Sequence, residues 1–590
     1  MGQTVSEFLE WRATQWLEVN GSMLGVSIFT SLILLLVARA HADCLVNIAQ
    51  GTARGALMTS YHGKEFCSYN GIPYAVPPLE DLRFRPPEPA PAWTGELNAT
   101  RPSNSCLQYQ FTVHYGSEDC LYLNVHTPQT SSSGQLLPVM VFIHGGGFTS
   151  GSGKAYSYGP LYLMDKDVVM VAMNYRLGVF GFLSTGDDAS PGNYAMKDQT
   201  EALRWVQKNI AAFGGDPNQV TILGESAGSM AVHYHILSPT SKGLFHSAIS
   251  ESGTALIHTT ISADTVLNIA QSQAEAVNCP TVSTADMIEC LRKVDGVTLL
   301  MSPPKSYSQI WAPVPETQSA LNPEPFLTAL PKDIIRSGNF SRVPYMLGSN
   351  SQEGSLMLIS YIGTTNAMDR LNLNINELAD TQFFLRDSVS DDLVPEIWQK
   401  ILDFYLGSNH TVTPNNVFQL INAQTDRNIQ CNTVKTVEMH TQAGHDSIYL
   451  FNFAYRGRYS LLPKARYEDM RYDLGVLHMD ELQYYLSYGS DPNKWEAGHP
   501  DIEVLETVLT LWTNMAKYGH PTPSGENTPQ GVVWPSVGVY KDQLAYYVFG
   551  HQQTPLEPVD GIFPLRITVE RDLFKARMDF WDSLPLKENQ

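Results

Sequence analysis

The stretch Val220-Thr-Ile-Leu-Gly-Glu-Ser-Ala-Gly-Ser-Met-Ala-Val-His-Tyr-His-Ile-Leu237 decides the fold. Its first four residues predict a buried strand, and Ser229–Leu237 predicts a helix. Between them, Gly224-Glu-Ser-Ala-Gly228 has the form Gly-x-Ser-x-Gly, which in this context places an exposed serine on a sharp turn. The glycines leave room for that turn, so Ser226 is the predicted nucleophile. Taken alone, these five residues could also form an ordinary turn.

A second glycine-rich segment, His144-Gly-Gly-Gly-Phe148, directly follows a predicted strand at Leu137–Ile143. Consecutive glycines leave backbone N–H groups free to bind an oxygen atom, and acyl transfer needs such donors where negative charge develops. By itself the segment could be a flexible turn, but ahead of the serine motif it predicts an oxyanion hole. The expected donors are the amides of Gly146, Gly147 and Ala227.

A serine hydroxyl needs a base, and the base needs a carboxylate that orients it. In α/β enzymes with this motif the chain order is serine, acid, histidine. We predict His478 as the base and Glu353, shortly after a predicted strand at Val343–Leu347, as the acid. Spacing alone leaves rivals, because the chain has 16 histidines and 59 acidic residues. We interpret two of these histidines, His499 and His520, as surface residues.

Short β-branched runs alternate with helical patterns along the chain. Further strands are predicted at 168–173 and 448–453, and a helix at 199–213. Such alternation predicts an α/β fold, with a large, mostly parallel sheet flanked by helices. The segment 360–430 is rich in Asn, Asp and Leu and predicts helical insertions over the mouth of the site. Because no Pro/Gly/Ser-rich linker interrupts the chain, residues 43–590 are predicted to form a single domain.

The 590 residues carry a net charge of -21, with no cluster of Lys and Arg. Such a surface repels polyanions, so nucleic acid is not an expected partner. No Cys-x-x-Cys or His-Glu-x-x-His spacing indicates a metal site, and a serine mechanism needs no metal or organic cofactor. The expected partner is a small hydrophobic ester. The sequence does not define an oligomeric state.

The N-terminal region 1–42 has the features of a secretory signal. An apolar segment at 23–37 is followed by Ala40-His-Ala42, which predicts cleavage after residue 42. The segment is shorter than the roughly 20 residues of a membrane span, so no span is expected after cleavage, and an uncleaved signal anchor is the alternative. Seven cysteines and acceptor tripeptides for glycosylation agree with export. The acceptors are Asn98, Asn339 and Asn409.

The order of these motifs resembles that of type-B carboxylesterases and cholinesterases, over almost the whole chain after residue 43. The resemblance implies an α/β-hydrolase fold and a triad of Ser226, Glu353 and His478. That the acid is Glu rather than Asp rests mainly on this resemblance. The motifs that carry it are Tyr69-Asn-Gly-Ile-Pro-Tyr-Ala75, Glu118-Asp-Cys-Leu-Tyr-Leu-Asn124, His144-Gly-Gly-Gly-Phe148, Asn174-Tyr-Arg-Leu-Gly178, Gly224-Glu-Ser-Ala-Gly228, Gly348-x4-Glu353-Gly354, Gly475-x2-His478 and Trp512-x6-Gly519-His-Pro-Thr-Pro523.

The resemblance also implies several structural pairs. These are the disulfides Cys106–Cys120 and Cys279–Cys290 and the ion pairs Arg83–Glu118 and Arg176–Asp198. A third bridge found in cholinesterases would use Cys431, but no cysteine follows it, so we expect that bridge to be absent. The remaining cysteines, Cys44, Cys67 and Cys431, are interpreted as buried structural thiols.

Three features indicate which members of the family the chain resembles most. Cholinesterases hold a tryptophan inside the first disulfide loop, where it binds a quaternary ammonium group. Here the loop, residues 107–119, has none, so choline esters are not expected substrates. Juvenile hormone esterases typically carry Gln where this chain has Glu225, which argues against that assignment without excluding it. The segment His478-Met-Asp-Glu-Leu482 resembles arthropod carboxylesterases.

Three residues are candidates for the substrate pocket. Glu225 is a candidate for stabilising the imidazolium electrostatically or for holding an ordered water. Phe148 ends the glycine-rich segment. Trp311 is placed near the acyl pocket by its family position, and a buried structural role fits it equally well.

The sequence therefore predicts a secreted serine carboxylesterase that acts through an acyl-enzyme on Ser226. One alternative is a hydrolase of hormone esters similar to juvenile hormone esterase, and another is a lipase acting on aggregated substrate. Non-enzymatic alternatives are an adhesion protein or a protein that sequesters a hydrophobic ligand. The intact triad positions and glycines favour an enzyme.

Overall fold

A computed structural model describes residues 44–589 except 111, 129–134, 258–262, 305–310, 363–365, 458, 461–473, 490–494, 496–497, 540–542 and 551–563. The predicted signal region 1–42, with its apolar segment at 23–37, lies outside the described residues. Within the described ranges, no helix is both long enough and apolar enough to cross a membrane.

An eleven-stranded sheet runs through the described part of the chain. Its seven central strands are parallel, and antiparallel strands flank them at both edges. The predicted α/β class and mostly parallel sheet are therefore confirmed. From one edge to the other the strands are β16 (Ile567–Arg571), β15 (Ala545–Gly550), β14 (Ile448–Ala454), β13 (Tyr345–Asn350), β12 (Ser247–Glu251), β11 (Gly215–Glu225), β9 (Leu137–Ile143), β10 (Val169–Met173), β8 (Tyr122–Pro128), β4 (Glu65–Pro73) and β3 (Ala56–Thr59).

Two smaller sheets lie outside the main one. The first has three strands, β1 (Leu45–Ile48), β2 (Gly51–Arg54) and β5 (Glu96–Asn98). The second is a hairpin of β6 (Gln108–Gln110) and β7 (Val113–Tyr115).

α-Helices follow strands β10 to β14 and β16. In chain order the α-helices are α1 (Gly178–Phe182), α2 (Tyr194–Asn209), α3 (Ala227–Leu237), α4 (Ala263–Ala276), α5 (Thr284–Lys293), α6 (Gly296–Leu300), α7 (Pro331–Ser337), α8 (Ser355–Ile362), α9 (Ala367–Leu373), α10 (Leu378–Thr381), α11 (Leu385–Ser388), α12 (Val394–Leu406), α13 (Val417–Thr425), α14 (Cys431–Gln442), α15 (Asp501–Tyr518) and α16 (Lys575–Asp582).

Side chains of the parallel strands alternate between two buried faces of the sheet. In β9, Val139, Val141 and Ile143 pack in the core that contains α2 and α3. Met140 and Phe142 point into the opposite core, which contains α15. Because both faces are covered, the central strands are continuous apolar runs instead of alternating apolar and polar residues.

Element boundaries differ modestly from the predictions. Strand β9 has the predicted bounds, whereas β11 is longer than the predicted 220–223. The helix predicted at 199–213 begins earlier, at Tyr194, and its last turn, Ile210–Phe213, is a 3-10 helix. Helix α3 begins at Ala227, directly after the serine, two residues before its predicted start.

The predicted helical insertions at 360–430 are present as α8 to α13. Their apolar side chains form a separate cluster that includes Leu358, Trp398 and Ile421. The same cluster contains Leu474 and Leu477, which closely precede His478. This helical layer therefore packs beside the segment that carries the predicted base.

The disulfides confirm one prediction and correct another. Cys106–Cys120 and Cys279–Cys290 are bonded as the resemblance implied. The interpretation of Cys44 and Cys67 as thiols is wrong, because they form a disulfide that joins the start of the described chain to β4. Among the described cysteines only Cys431 is free, as predicted. Cys431 is half-buried, and desolvation raises the pKa of its thiol well above the ordinary value, which disfavours the reactive thiolate.

Both implied ion pairs are present and bidentate. Arg176 donates to the two oxygens of the fully buried Asp198 at 2.8 and 2.6 Å. Arg83 donates to the two oxygens of Glu118 at 2.7 and 2.6 Å. Arg176 lies between β10 and α1, so its pair fixes the connection between these two elements to α2, which contains Asp198.

Candidate active site

The predicted nucleophile stands on a strained turn at the end of β11. Ser226 has φ 58° and ψ −124°, which L-residues rarely adopt. Close contacts explain the two flanking glycines, because a Cβ on Gly228 would lie 2.0 Å from the Ile143 carbonyl oxygen. A Cβ on Gly224 would lie 2.6 Å from the Gly228 carbonyl oxygen. The turn therefore holds Ser226, which is half-buried, clear of the sheet.

The predicted acid and base are joined by a hydrogen bond. Glu353 Oε2 lies 2.6 Å from His478 Nδ1, across 125 residues of sequence. Glu353 Oε1 accepts from the Ser252 hydroxyl at 2.5 Å and from the Asn350 backbone amide at 2.7 Å. Because the carboxylate accepts the Nδ1–H of the neutral ring, Nε2 carries the lone pair that can accept a proton. The pair is thus oriented for general-base catalysis.

A second carboxylate, Glu225, touches the other side of the imidazole ring. Its Oε1 lies 2.8 Å from His478 Nε2, and both side chains are buried. The contact is not aligned as a hydrogen bond, since Oε1 has no hydrogen-bond partner among the described residues. Burial lowers the pKa of His478, but the charges of Glu225 and Glu353 together raise it well above the usual value. Both carboxylates therefore stabilise the protonated ring.

Two more buried glutamates lie behind this pair. Burial raises the pKa of Glu251 to about 8, and its carboxyl group bonds Tyr485 and the Trp512 indole N–H. Burial and the neighbouring carboxylates raise the pKa of Glu481 well above its ordinary value. Burial thus disfavours the charged form of both groups, and the charges that raise the pKa of His478 are those of Glu225 and Glu353.

The predicted oxyanion donors lie in two segments that adjoin the nucleophile. Gly146 and Gly147 have φ 104° and 60° and are exposed, so their amides are open to a ligand. Gly145 lies so close to the serine that a Cβ on it would be 3.0 Å from Ser226 Cβ. Ala227 is the first residue of α3, where backbone amides and the helix dipole favour negative charge. The structure thus places the segment that contains Gly146 and Gly147 next to Ser226.

The remaining pocket candidates, Phe148 and Trp311, are each close to the start of α1, and Phe148 lies within residues 144–151, which we call the oxyanion segment. Phe148 is buried and packs on Phe182 with a ring distance of 4.9 Å, and its carbonyl accepts from the Gly178 amide at 2.8 Å. The indole of the half-buried Trp311 lies 3.8 Å from where a Cβ of Gly178 would be. Both residues therefore lie near Gly178, the first residue of α1.

Sequence reasoning missed Ser252 and misjudged His499. Ser252 follows β12, which lies between β11 and β13 in the sheet, and this sheet order was the signal that could have found it. Its φ of 63° directs the hydroxyl to Glu353. The prediction that His499 is a surface residue is wrong, because its side chain is only 9% exposed and stacks on Tyr459. His520 is half-buried against Tyr449.

The predicted glycosylation acceptors are accessible. Asn98, Asn339 and Asn409 are all exposed. Asn98 is the last residue of β5, and Asn339 and Asn409 lie just after α7 and α12. All three lie where an attached glycan would not disturb the core.

The order of the site along the sheet defines the class of protein. The serine turn ends β11, Glu353 follows β13, and His478 follows β14, which is the arrangement of an α/β-hydrolase. The sequence profile described as "Carboxylesterase family" matches residues 42–581. The chain belongs to the carboxylesterase family, and thereby to the carboxylic ester hydrolases.

Several characterised proteins are similar along most of their length. "Juvenile hormone esterase" of Tribolium castaneum is 37% identical over 92% of this chain and 94% of its own. "Carboxylic ester hydrolase" of Bombus ignitus is 33% identical over 92% and 95%. "Esterase FE4" of Myzus persicae is 35% identical over 83% and 86%. Each of these similarities therefore extends over most of both chains.

Proposed function

We propose that the protein is a serine carboxylesterase that hydrolyses small hydrophobic esters through an acyl-enzyme on Ser226. The observation that carries the proposal is the hydrogen bond of 2.6 Å between Glu353 Oε2 and His478 Nδ1 beside the strained serine turn. In this proposal Glu353 is the acid, His478 is the base, and the amides of Gly146, Gly147 and Ala227 form the oxyanion hole. The proposed mechanism uses no metal or organic cofactor.

The reaction has two steps of the same form. Ser226 Oγ attacks the ester carbonyl while His478 Nε2 takes its proton, and the carbonyl oxygen becomes negative against the three amides. The tetrahedral intermediate collapses, His478 protonates the leaving alcohol, and an acyl-serine remains. Water, deprotonated by His478, then attacks the acyl carbon and regenerates Ser226 with release of the acid.

The substrate we propose is a neutral ester. The first disulfide loop lacks a tryptophan that could bind a cationic head group. Phe148 and Trp311 offer apolar contacts next to the oxyanion segment. Hydrolysis of a hormone ester is the second candidate, because one similar protein is named a juvenile hormone esterase. Glu225, in place of the Gln typical of those enzymes, favours the general esterase.

The test is turnover of p-nitrophenyl acetate and butyrate by the purified protein and by Ser226→Ala. The folded parent should hydrolyse both esters, and the variant should not. A folded parent without turnover would refute the proposal in favour of an adhesion protein. A burst of one product equivalent without steady turnover would favour sequestration.

A substrate panel separates the remaining alternatives. Acyl chains from acetate to octanoate, juvenile hormone and acetylcholine should be compared by kcat/KM. A clear preference for juvenile hormone would select the hormone esterase. Preference for emulsified long-chain esters over soluble short ones would select a lipase.

We further propose that the protein is secreted as a glycoprotein after cleavage behind residue 42. Three disulfides fit an oxidising compartment. Expression in insect cells should yield a protein in the medium whose N-terminus is Asp43 and whose mass falls on enzymatic deglycosylation. Retention in the membrane fraction would select the uncleaved signal anchor.

A further inference from the structure

The disulfide Cys106–Cys120 encloses the hairpin of β6 and β7, which we call the disulfide hairpin (residues 106–120). Several of its side chains face solvent, including the apolar Tyr109, Val113 and Tyr115. Gln108 is different, because its side chain is fully buried. A buried amide costs free energy unless its polar atoms are paired, so the contacts of Gln108 indicate why it is there.

All four hydrogen-bonding positions of the Gln108 amide are occupied. Nε2 donates to the Cys106 and Gly151 carbonyls, both at 2.9 Å. Oε1 accepts from the Gly151 backbone amide at 2.8 Å and from the Tyr115 hydroxyl at 2.8 Å. The side chain therefore hydrogen-bonds both the amide and the carbonyl of Gly151, and it is itself oriented by residues of the disulfide hairpin.

Gly151 closes the oxyanion segment. A Cβ on Gly151 would lie 2.3 Å from His144 Nδ1 and 2.6 Å from the Gly145 carbonyl oxygen, so the segment's two ends touch. Between them, the Gly146 carbonyl accepts from the amides of Thr149 and Ser150 at 3.1 and 3.0 Å. Residues 144–151 thus form one compact turn.

The middle of this turn has few contacts of its own. A Cβ on Gly147 would have a single neighbour within 4 Å, the Thr149 hydroxyl at 3.9 Å. The positions of the Gly146 and Gly147 amides therefore depend on how the residues on either side of them are held. β9 precedes the turn, Phe148 is held by Phe182 and the Gly178 amide, and Gln108 holds Gly151.

We propose that Gln108 is a positioning residue that sets the oxyanion hole by clamping Gly151 to the disulfide hairpin. The inference rests on the proposed esterase function, because it concerns the amides that would bind the developing oxyanion. Gln108 does not touch the substrate. Loss of the clamp lets the turn relax, and its amides then stabilise the tetrahedral intermediate less than before. Binding of the planar ester changes less, so kcat is affected more than KM.

The experiment compares Gln108→Met with the matched control Gln110→Met. Methionine keeps the length of the side chain and removes every hydrogen bond. Gln110 lies on the same strand and accepts from the Tyr115 hydroxyl at 2.9 Å, and its side chain has no hydrogen bond to residues 144–151 in the described part of the chain. The readouts are kcat and KM for p-nitrophenyl butyrate per titrated active site, and the inhibition constant of a trifluoromethyl ketone, which forms a tetrahedral adduct on the serine.

For Gln108→Met we expect kcat to fall about 10- to 100-fold, less than the effect of deleting one donor, with KM changed less than about threefold. The inhibition constant of the ketone should rise by the same factor as kcat/KM falls. Gln110→Met should match the parent in all three. If Gln108→Met does not fold, Tyr115→Phe, which removes one hydrogen bond to Gln108, should show the same pattern at about two- to fivefold.

The result that overturns the inference is a folded Gln108→Met or Tyr115→Phe with parental kcat and ketone affinity, even if its melting temperature falls. Equal losses in Gln108→Met and Gln110→Met would overturn it too, since they would indicate general damage to the hairpin. A parent without turnover would refute the proposed function and this inference together. If the parent is active and Gln108→Met matches it, the inference is refuted but the proposed esterase function is not.

Discussion

Replacing Glu225 by Gln should move the pH dependence of the reaction to more acidic values. The carboxylate lies 2.8 Å from His478 Nε2, both groups are buried, and its charge raises the pKa of His478. His478 must be unprotonated to act as the base, so the acid limb of kcat/KM follows this pKa. The substituted amide side chain is nearly isosteric with the carboxylate but neutral. The protonated ring loses one of its two counter-charges, and its pKa falls.

The size of the shift follows from the distance. The nearest atoms are 2.8 Å apart, but both charges are delocalised, so we take an effective separation of about 4 Å, at which unit charges attract by roughly 4 kcal/mol at an effective dielectric constant of about 20. At about 1.4 kcal/mol per pK unit, this corresponds to about 3 units. Because the imidazolium charge is spread over the ring and shared with Glu353, we expect a shift of about 1–3 units. The plateau of kcat/KM should also fall, since the imidazolium of the transition state is less stabilised.

The assay is kcat/KM for p-nitrophenyl acetate between about pH 5 and 9.5 for the parent, Glu225→Gln and the matched control Glu481→Gln. Glu481 is also a buried glutamate, but the charges that raise the pKa of His478 are those of Glu225 and Glu353, so its replacement should leave that pKa unchanged. The acid limb of the control should therefore overlay that of the parent. An unshifted limb in Glu225→Gln would refute the electrostatic role of this carboxylate.

Three further predictions concern the acid, the serine turn and acid stability. Glu353→Gln should keep the parental melting temperature and lower kcat about 10⁴-fold because the imidazole loses its orienting acceptor; a variant retaining a tenth of kcat would contradict the role. Gly228→Ala should fail to give folded protein by near-UV circular dichroism, since its Cβ would lie 2.0 Å from the Ile143 oxygen, and a parental spectrum would contradict this contact. Buried histidines should make the protein acid-labile. Burial lowers the pKa of His233 to about 3, below the roughly 6.5 of a histidine in an unfolded chain. The unfolded state therefore binds protons first, and stability falls as the pH drops below about 6.5. The urea midpoint of unfolding should decrease from pH 7.5 to 4.5, and a flat profile would refute this.

The acid-stability prediction has a structural basis in a chain of three neutral imidazoles. His233 Nδ1 accepts from the Ala255 amide at 3.0 Å, and its Nε2 lies 3.0 Å from His440 Nε2. His440 Nδ1 lies 3.3 Å from His445 Nδ1, and His445 Nε2 donates to the Val343 carbonyl at 2.8 Å. Every ring donates on one side and accepts on the other, so one added proton breaks the chain.

The serine turn could be predicted from sequence because its causes are local. A strand, two glycines and a helix within 18 residues are enough to place Ser226, and only the exact ends of β11 and α3 differ. Glu353 and His478 lie 125 residues apart. Their pairing depends on the order of strands in the sheet, which a single sequence does not contain, so resemblance to a family supplied it.

What could not be predicted depends on contacts between separate sheets or between side chains and backbone. Cys44 precedes a strand of the three-stranded sheet and Cys67 lies in β4 of the main sheet. No periodicity reveals that these sheets adjoin, so the sequence alone does not pair the two cysteines. Gln108 resembles an ordinary polar residue of a loop, because its partner Gly151 has no side chain that could suggest a contact.

Because a disulfide closes the hairpin, a cut inside it would impair catalysis without releasing a fragment. Its exposed tyrosines, Tyr109 and Tyr115, are cleavage sites for a chymotrypsin-like protease. Because Cys106 and Cys120 stay bonded, a molecule cut after Tyr115 would keep its full mass on a non-reducing gel. The cut would nevertheless free the hairpin that orients Gln108. Such a molecule would lose esterase activity although it still runs as a single intact chain. Only reduction before electrophoresis would separate its two fragments.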